Sequence, residues 1–131
     1  MIGKGNKGGI IGYVGGTNWN DTSIPNISNC YNISNIKENA GGIVGVQGTT
    51  AKGNYLYVTN SYNIGNIEGK NIGNILGKII TNTSTETKTE FSNVYYSLEP
   101  AIGIGSLTSG EATLKTKTEI KSQAFVDLLN S

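Results

Sequence analysis

Histidine and arginine are absent from the 131 residues, and the only cysteine is Cys30. Without histidine the chain cannot build a Ser-His-Asp triad, a Cys-His nucleophile pair or the usual zinc and copper sites. A single thiol also rules out an internal disulfide, which leaves the cellular compartment open. The sequence therefore predicts a non-enzymatic protein with no catalytic residue, no metal site and no cofactor of its own.

Charge and long apolar runs are scarce as well. Charged residues make up 15% of the chain, the net charge is +1, and the lysines are scattered singly from Lys4 to Lys121. Nucleic-acid binding requires clustered basic side chains, often with arginine contacting bases or phosphates. No run approaches the roughly 20 apolar residues that cross a bilayer, and the polar N-terminus does not resemble a signal peptide. We expect no nucleic-acid partner, no membrane insertion, and a fragment whose export signal, if any, lay upstream.

Glycine is abundant, with 19 residues, and it marks a repeat. A glycine-rich block occurs as Gly8-Gly-Ile-Ile-Gly12, Gly41-Gly-Ile-Val-Gly45 and Ile72-Gly-Asn-Ile-Leu-Gly77. A second block follows it as Ile27-Ser-Asn-Cys-Tyr-Asn-Ile-Ser-Asn-Ile36, Val58-Thr-Asn-Ser-Tyr-Asn-Ile-Gly-Asn-Ile67 and a degraded Phe91-Ser-Asn-Val-Tyr-Tyr-Ser-Leu98. The blocks recur in the same order at a period of about 32 residues, which is typical of stacked repeat proteins.

Each period contains three short apolar runs that are rich in β-branched residues and tyrosine. Runs of this length and composition predict strands rather than helices. Three strands per period predict an all-β fold, a parallel β-helix-like β-solenoid of about three coils spaced about 4.8 Å apart. The coils are assigned to residues 8–40, 41–71 and 72–106, within a repeat domain of residues 1–106. We call these three segments the first, second and third copies.

Stacking of the copies places equivalent residues in columns along the stack. The expected columns are Asn29, Asn60 and Asn93; Tyr31, Tyr62 and Tyr95; Ile33 and Ile64; and Ile36 and Ile67. Asparagine columns satisfy their amides through bonds to the next copy, while stacked rings and isoleucines bury apolar area. We interpret the columns as scaffold, with a ligand-binding row as the alternative. Which side of each strand faces inward stays open, because residues 27–32 fit either alternation.

The Gly-Gly-Ile-Val-Gly block at residues 41–45, followed by an Asn-x-Tyr-Asn-x-Gly-x-Ile block, resembles the GLUG-motif repeats of bacterial surface and secreted proteins, including some IgA-specific metallopeptidases. The resemblance covers roughly residues 8–98 and departs in the third copy, where Asn74 replaces a glycine and Tyr96 replaces an asparagine. It implies a parallel β-helix-like module at the cell surface or outside the cell, serving as a stalk or adhesive surface. The implied partners are a host or cell-surface glycan or protein and neighbouring domains of a longer chain. It implies no catalytic residue.

Segments that stretch the period are the candidate working face, because insertions in repeat proteins often bind ligands. Residues 13–24 are predicted to form a loop around the only tryptophan, and the candidate binding residues are Tyr13, Trp19, Asn20 and Asp21. An exposed tryptophan beside amide and carboxylate groups fits sugar stacking. The alternative is a hydrophobic plug on the first coil.

Two further segments stretch the period. Residues 49–57 predict a small hairpin or a widened loop. Residues 80–91 alternate threonine with other residues, which predicts a strand with one polar face. The threonines follow one strand instead of recurring once per coil, so a flat ice-binding lattice is not expected.

Glu38 and Glu68 are the only acidic residues near equivalent positions in adjacent copies. Paired carboxylates are what a glycosidase on a β-helix requires. We interpret these two as solvated corner residues, because surface acids are seldom catalytic. A polysaccharide-cleaving enzyme is therefore the third hypothesis. It follows a structural stalk or adhesive surface and, as the alternative, an accessory glycan- or protein-binding module of a secreted hydrolase or peptidase.

Residues 107–131 are predicted to be a linker and a short capping α-helix. Thr116-Lys-Thr-Glu119 has the spacing of a capping box. The apolar residues that recur at helical spacing after it are Ile120, Ala124, Phe125, Leu128 and Leu129. Since the end of a solenoid exposes unpaired strand edges and apolar core, we expect this helix to cover such an end. Docking to a neighbouring domain is the alternative.

Overall fold

The computed structural model describes residues 5–15, 25–38, 40–48, 53–70, 72–80, 86–97 and 112–131. Of these residues 52% lie in strands and 12% in helices, so the protein is mostly β, as predicted. The strands are β1 (Lys7–Gly8), β2 (Ile11–Val14), β3 (Asn26–Ser28), β4 (Tyr31–Asn32), β5 (Ile36–Lys37), β6 (Ala40–Gly41), β7 (Val44–Gln47), β8 (Gly53–Asn63), β9 (Ile67–Glu68), β10 (Leu76–Ile79), β11 (Glu86–Tyr96) and β12 (Thr113–Leu114). The helices are α1 (Lys117–Ile120) and α2 (Gln123–Leu129). Among the described residues no helix has the length and hydropathy to cross a membrane.

The strand pairs of the described residues are all parallel. One sheet has the order β10-β7-β2, and a second joins β12, β11, β8 and β3 in that order, with β4 also beside β8. Two smaller sheets pair β1 with β6 and β5 with β9. Apart from β12, each strand lies beside a strand one repeat period away, as the column Ile11, Val44 and Leu76 illustrates. The period of the sequence repeat is thus the period of the strand pairing.

The hydrophobic core is formed by the inward side chains of these sheets. Its main cluster includes the fully buried Ile43, Val44, Leu56, Val58, Ile75 and Leu76. A second cluster contains Ile36, Ala40 and Ile67. Burying one such aliphatic side chain contributes about 1.5–3 kcal/mol, so the β-branched runs of the repeat supply much of the driving force for folding.

Asparagine in a left-handed conformation reverses the alternation of inward and outward side chains within the second sheet. In β8, Val58 is buried before Asn60, which has φ 46°, and Ser61 is buried directly after it. Asn29 and Asn93 hold the equivalent positions, with φ 54° and 53°. Asparagine tolerates this backbone better than most residues do. Both alternations that the sequence leaves open are therefore used, one on each side of the asparagine.

β12 and the helices follow the third copy. The capping box predicted at Thr116 is confirmed: its hydroxyl accepts from the backbone N–H of Glu119 at 3.2 Å, and the Glu119 carboxylate accepts from the backbone N–H of Thr116 at 2.7 Å. The prediction of one helix is wrong. Ser122 adopts an extended backbone, with φ −86° and ψ 154°, and begins a second helix by accepting from the backbone N–H of Phe125.

The two helices pack against the outer side of the second sheet. The side chains that meet there are Ile120, Phe125 and the partly buried Leu129 of the helices, and Tyr62, Ile64 and Tyr95 of the sheet region. Ala124 and Leu128, predicted in the same apolar stripe, are exposed. Because the chain breaks at Ser122, the two short helices do not present the one continuous stripe that the spacing predicted.

Candidate binding surface

The outer side of β4, β8 and β11 carries a group of large side chains that we call the tyrosine face: Tyr31, Ile33, Tyr62, Ile64 and Tyr95. In the parallel register Tyr31 lies opposite Tyr62, and Tyr62 lies opposite Tyr95. The left-handed asparagine two residues before each tyrosine turns the ring outward, because it shifts the period-2 alternation by one residue. The repeat thus builds one aromatic column on the outside of the sheet.

The tyrosine face is covered at one end only. The rings of Tyr31 and Tyr62 stack with centroids 5.4 Å apart and an interplanar angle of 11°. The ring of Phe125 meets those of Tyr62 and Tyr95 edge-on, at centroid distances of 5.5 and 5.1 Å. Tyr95 is therefore only 6% exposed, whereas Tyr31 is 56% and Ile33 63% exposed. The part of the face formed by the first copy is an open apolar surface.

The chemistry of the tyrosine face favours stacking and apolar contact. Burial, and to a smaller extent the neighbouring Tyr31, raises the pKa of Tyr62 above 10.0. The phenol therefore stays neutral over the physiological range, since desolvation disfavours the charged form. A neutral aromatic column is suited to binding another ring or an aliphatic surface rather than to acid–base chemistry.

The predicted asparagine column forms one side-chain hydrogen bond among its three members. Nδ2 of Asn93 donates to Oδ1 of Asn60 at 3.1 Å, and Asn29 is exposed. What the three residues share is the left-handed backbone, so their described role is conformational. The column's use as a ligand-binding row stays a prediction.

A longer chain of amides, which the sequence analysis missed, links the copies on the inner side of the same strands. Nδ2 of Asn32 donates to Oδ1 of Asn63 at 2.7 Å, and Nδ2 of Asn63 donates to Oδ1 of Asn74 at 3.2 Å. Asn63 also bonds the backbone N–H and C=O of Gly65. All three asparagines are buried. The signal was the asparagine that follows the repeat tyrosine in the first two copies, but its inward direction depends on the left-handed residue before that tyrosine.

The candidate carboxylate pair does not form in the register of the sheets. β5 and β9 place Lys37 opposite Glu68, so Glu38 aligns with Gly69 instead. Nζ of Lys37 lies 3.0 Å from the carboxylate of Glu68, and Nζ of Lys7 lies 4.0 Å from that of Glu38. Both carboxylates are exposed, and the Lys37–Glu68 pair, which is exposed on both sides, contributes little to stability. Each of the two carboxylates thus has a lysine as its described ionic partner.

The other two segments that stretch the repeat period pair with each other in their described parts. Residues 53–57 of β8 lie in parallel beside residues 86–90 of β11, so this part of the predicted hairpin or widened loop at residues 49–57 is a strand instead. Residues 49–52 lie outside the described residues. Thr89, from the predicted threonine face, donates its hydroxyl to Oε1 of the buried Gln47 at 2.6 Å. Thr81, Thr83 and Thr85 lie outside the described residues. This hydrogen bond ties the second sheet to β7.

On the outer side of residues 53–57 and 86–90, Lys88 lies close to an aromatic ring and a carboxylate. Nζ of Lys88 lies 5.8 Å from the ring centre of Tyr57 and 2.8 Å from the carboxylate of Glu90. The hydrogen bond that Lys88 donates to the Glu90 carboxylate is the main cause that raises the pKa of Lys88. Lys88 is exposed, so this cluster is a solvated surface feature.

The predicted sugar-stacking residues Trp19, Asn20 and Asp21 lie outside the described residues. Tyr13, the fourth member of that set, lies in β2 opposite Val46, and its side chain is exposed. Binding at this loop stays a prediction. The structure therefore adds a second candidate, the open part of the tyrosine face.

A pocket of about 190 Å³ lies beside the helices, lined by Lys115, Glu119, Ser122, Ala124, Phe125 and Leu128. Pockets for drug-sized ligands hold about 300–1,000 Å³, so this one is small. Its acid is engaged in the capping box, where the hydrogen bonds from Thr116 lower the pKa of Glu119. Within the described residues no group of three or more cysteine and acidic side chains is placed to hold a metal ion.

No family model matches the chain, and neither the curated proteins nor the solved structures include a match to it. The resemblance to the GLUG-motif repeats therefore stays a prediction from the residues alone. On its geometry, the tyrosine face is the binding surface that the described residues support best.

Proposed function

We propose that this chain is a non-enzymatic β-solenoid module of a bacterial surface or secreted protein, and that it acts as a structural stalk or adhesive surface. The observation that carries the proposal is the parallel register of the second sheet. It sets Ile27, Val58 and Phe91 in one column and Tyr31, Tyr62 and Tyr95 in another. The location outside the cell rests on the resemblance to GLUG-motif repeats.

The contacts between copies support a scaffold role. Ile36 and Ile67 pair in register with both side chains buried. The amide chain through Asn32 and Asn63 fixes the register, because a shift by one residue would leave buried amides unpaired. When each repeat contacts only its neighbours, stability is roughly a sum of such interfaces. A module of this kind can vary in length without a change of architecture.

A duplication tests this architecture. In a variant with residues 41–71 repeated before Ile72, we expect one cooperative unfolding transition and an m-value in urea about a quarter larger, because m scales with the surface exposed on unfolding. The control carries the same residues in scrambled order at the same place. An m-value equal to that of the control, with the insert cut by protease, contradicts the proposal.

A second function, an accessory glycan- or protein-binding module, is favoured by the exposure of Tyr31 and Ile33. The exposed ring and its aliphatic neighbour form an apolar patch of the kind that recognises a sugar face or a protein side chain. This patch lies on the same stack and is compatible with the scaffold role.

The binding function is tested by calorimetric titration of the chain with mucin glycopeptides and a panel of surface glycans. We expect binding to be lost in Tyr31→Ala and kept in Ile10→Ala, which removes another exposed apolar side chain of the first copy. Equal binding by both variants would place the ligand elsewhere. If the unchanged chain binds none of these ligands, the scaffold role is the only proposed function that remains.

A further inference from the structure

The third copy departs from the repeat at two places that belong to neighbouring columns. Asn74 stands where the first two copies have Gly9 and Gly42, as the bridge between the preceding residues Gly41 and Gly73 shows. Tyr96 stands opposite Asn63. Both side chains are buried.

In the first two copies the glycine is required by the asparagine of the same copy. A Cβ on Gly9 would lie 2.6 Å from Cγ of Asn32, and a Cβ on Gly42 would lie 2.4 Å from Cγ of Asn63. Such distances are well inside van der Waals contact, so a side chain at the first position and an asparagine at the second exclude each other. The third copy carries the opposite combination, a side chain at position 74 and no asparagine at position 96.

Asn74 also provides a hydrogen bond to Asn63. Nδ2 of Asn32 donates to the asparagine opposite it in the next copy, at 2.7 Å. Asn63 has Tyr96 opposite it and donates instead to Oδ1 of Asn74, at 3.2 Å. The two exchanges thus compensate each other, because the amide of Asn63 remains bonded although position 96 has no asparagine.

The glycine column has a second function, which is to admit the backbone of the following copy. A Cβ on Gly9 would lie 2.1 Å from the carbonyl oxygen of Gly42, and a Cβ on Gly42 would lie 2.0 Å from that of Asn74. A fourth coil with the same geometry would bring its carbonyl oxygen equally close to the Cβ that Asn74 carries. In the described part of the chain β10, which follows Asn74, is an edge strand of its sheet.

We propose that Asn74 and Tyr96 together end the stack. A coil with glycine and asparagine at these positions accepts a following coil of the repeat, and the third coil, with asparagine and tyrosine, accepts only the two-residue strand β12 beside Tyr95 and Tyr96. The pair therefore sets the number of coils and the direction in which the stack can be extended. This inference rests on the solenoid architecture proposed above.

The test places one extra copy of residues 41–71 at either of two positions, before Ile72 or after Ser106, the predicted end of the third copy. Before Ile72 the insert follows a glycine–asparagine coil, and we expect it to resist protease and to raise the melting temperature by roughly 4 °C or more. After Ser106 we expect no rise and cleavage as fast as that of a scrambled insert. With Asn74→Gly and Tyr96→Asn, cleavage after Ser106 should slow by about tenfold or more.

Two results overturn the inference: protection of the insert after Ser106 in the otherwise unchanged chain, or an insert there that stays unprotected in the double variant. Because loss of the Tyr96 ring can itself unfold the chain, Asn74→Gly alone is measured as well. It removes the obstructing Cβ and should slow cleavage several-fold by the same reasoning. Cleavage of the insert before Ile72 contradicts the solenoid itself, so the two failures are distinguishable.

Discussion

Tyr62 and Asn63 are neighbours in the sequence but belong to two different columns, the outer tyrosine column and the inner asparagine column. The inner column of asparagines is buried and hydrogen-bonded from copy to copy. The outer column changes along the stack, since Tyr31 is exposed and Tyr95 is covered by Phe125. Cohesion between copies thus depends on the inner column. The outer column is left to bind other elements, as it does with α2.

Removal of the central amide should have the largest effect. Asn63→Ala would remove the hydrogen bonds that Asn63 makes with Asn32, Gly65 and Asn74, and each buried group left unsatisfied costs about 1–3 kcal/mol. We expect a loss of about 3–5 kcal/mol in the free energy of unfolding, measured in urea. The control is Asn66→Ala, whose side chain bonds the exposed Glu68, and it should change stability by less than about 0.5 kcal/mol. Similar losses in the two variants would contradict the importance of the inner column.

Removal of the ring that covers the tyrosine face should come next. Phe125→Ala empties the space against Tyr62 and Tyr95, and we expect a loss of about 2–4 kcal/mol. The near-ultraviolet circular dichroism of the tyrosines should weaken, since their rings lose a fixed neighbour. Val126→Ala, on the exposed side of the same helix, is the matched control and should change neither signal appreciably. An unchanged tyrosine spectrum in Phe125→Ala would show that α2 does not order the outer column.

Substitution of Asn60, whose left-handed backbone separates the inward and outward alternations, should have a smaller effect on stability. Asn60 has φ 46°, and we expect Asn60→Ala to lose about 1–2 kcal/mol because alanine is strained in that region. Asn60→Gly deletes more atoms and the same bond from Asn93, yet it should be less destabilising, since glycine adopts this backbone freely. The free energies of unfolding of the two variants, measured in urea, test this expectation. If glycine were the worse substitution, the left-handed backbone would not be the reason for an asparagine at this position.

The smallest effect on stability is expected at the capping box that begins α1. Hydrogen bonds from Thr116 hold the pKa of Glu119 below its ordinary 4.5 in the folded chain. The stability that this carboxylate contributes is therefore present above pH 4.5 and declines as the pH falls through the lowered pKa. Unfolding of the chain and of Glu119→Gln should differ slightly at pH 7 and converge at low pH. If the difference in the free energy of unfolding grew as the pH falls, the capping box would not be what lowers the pKa of Glu119.

The period of the strand pairing and the capping box are predictable from the sequence because each depends on residues at a constant spacing. Two blocks that recur in phase predict stacking of like on like, and parallel strands one period apart follow from it. The capping box at Thr116 requires only the right residue three positions later. These features need no knowledge of side-chain direction.

The two columns are not predictable in the same way. Period-2 reasoning assumes a uniformly extended strand, and Asn60 interrupts it with a conformation that asparagine adopts only in some settings. The break at Ser122 is equally hidden, since the helical spacing of apolar residues continues across it. Asn74 and Tyr96 are visible as departures from the repeat. Their compensation becomes apparent only when the columns are placed side by side.

The one-period separation of paired strands also has a kinetic consequence. The first contact between copies must close a loop of about 32 residues with no preformed edge to receive it, which is an unfavourable nucleation step. Every later copy closes a loop of the same length onto an edge that already exists, so its addition is faster than the first. Folding should therefore show a rate set by the first pairing and almost independent of the number of copies.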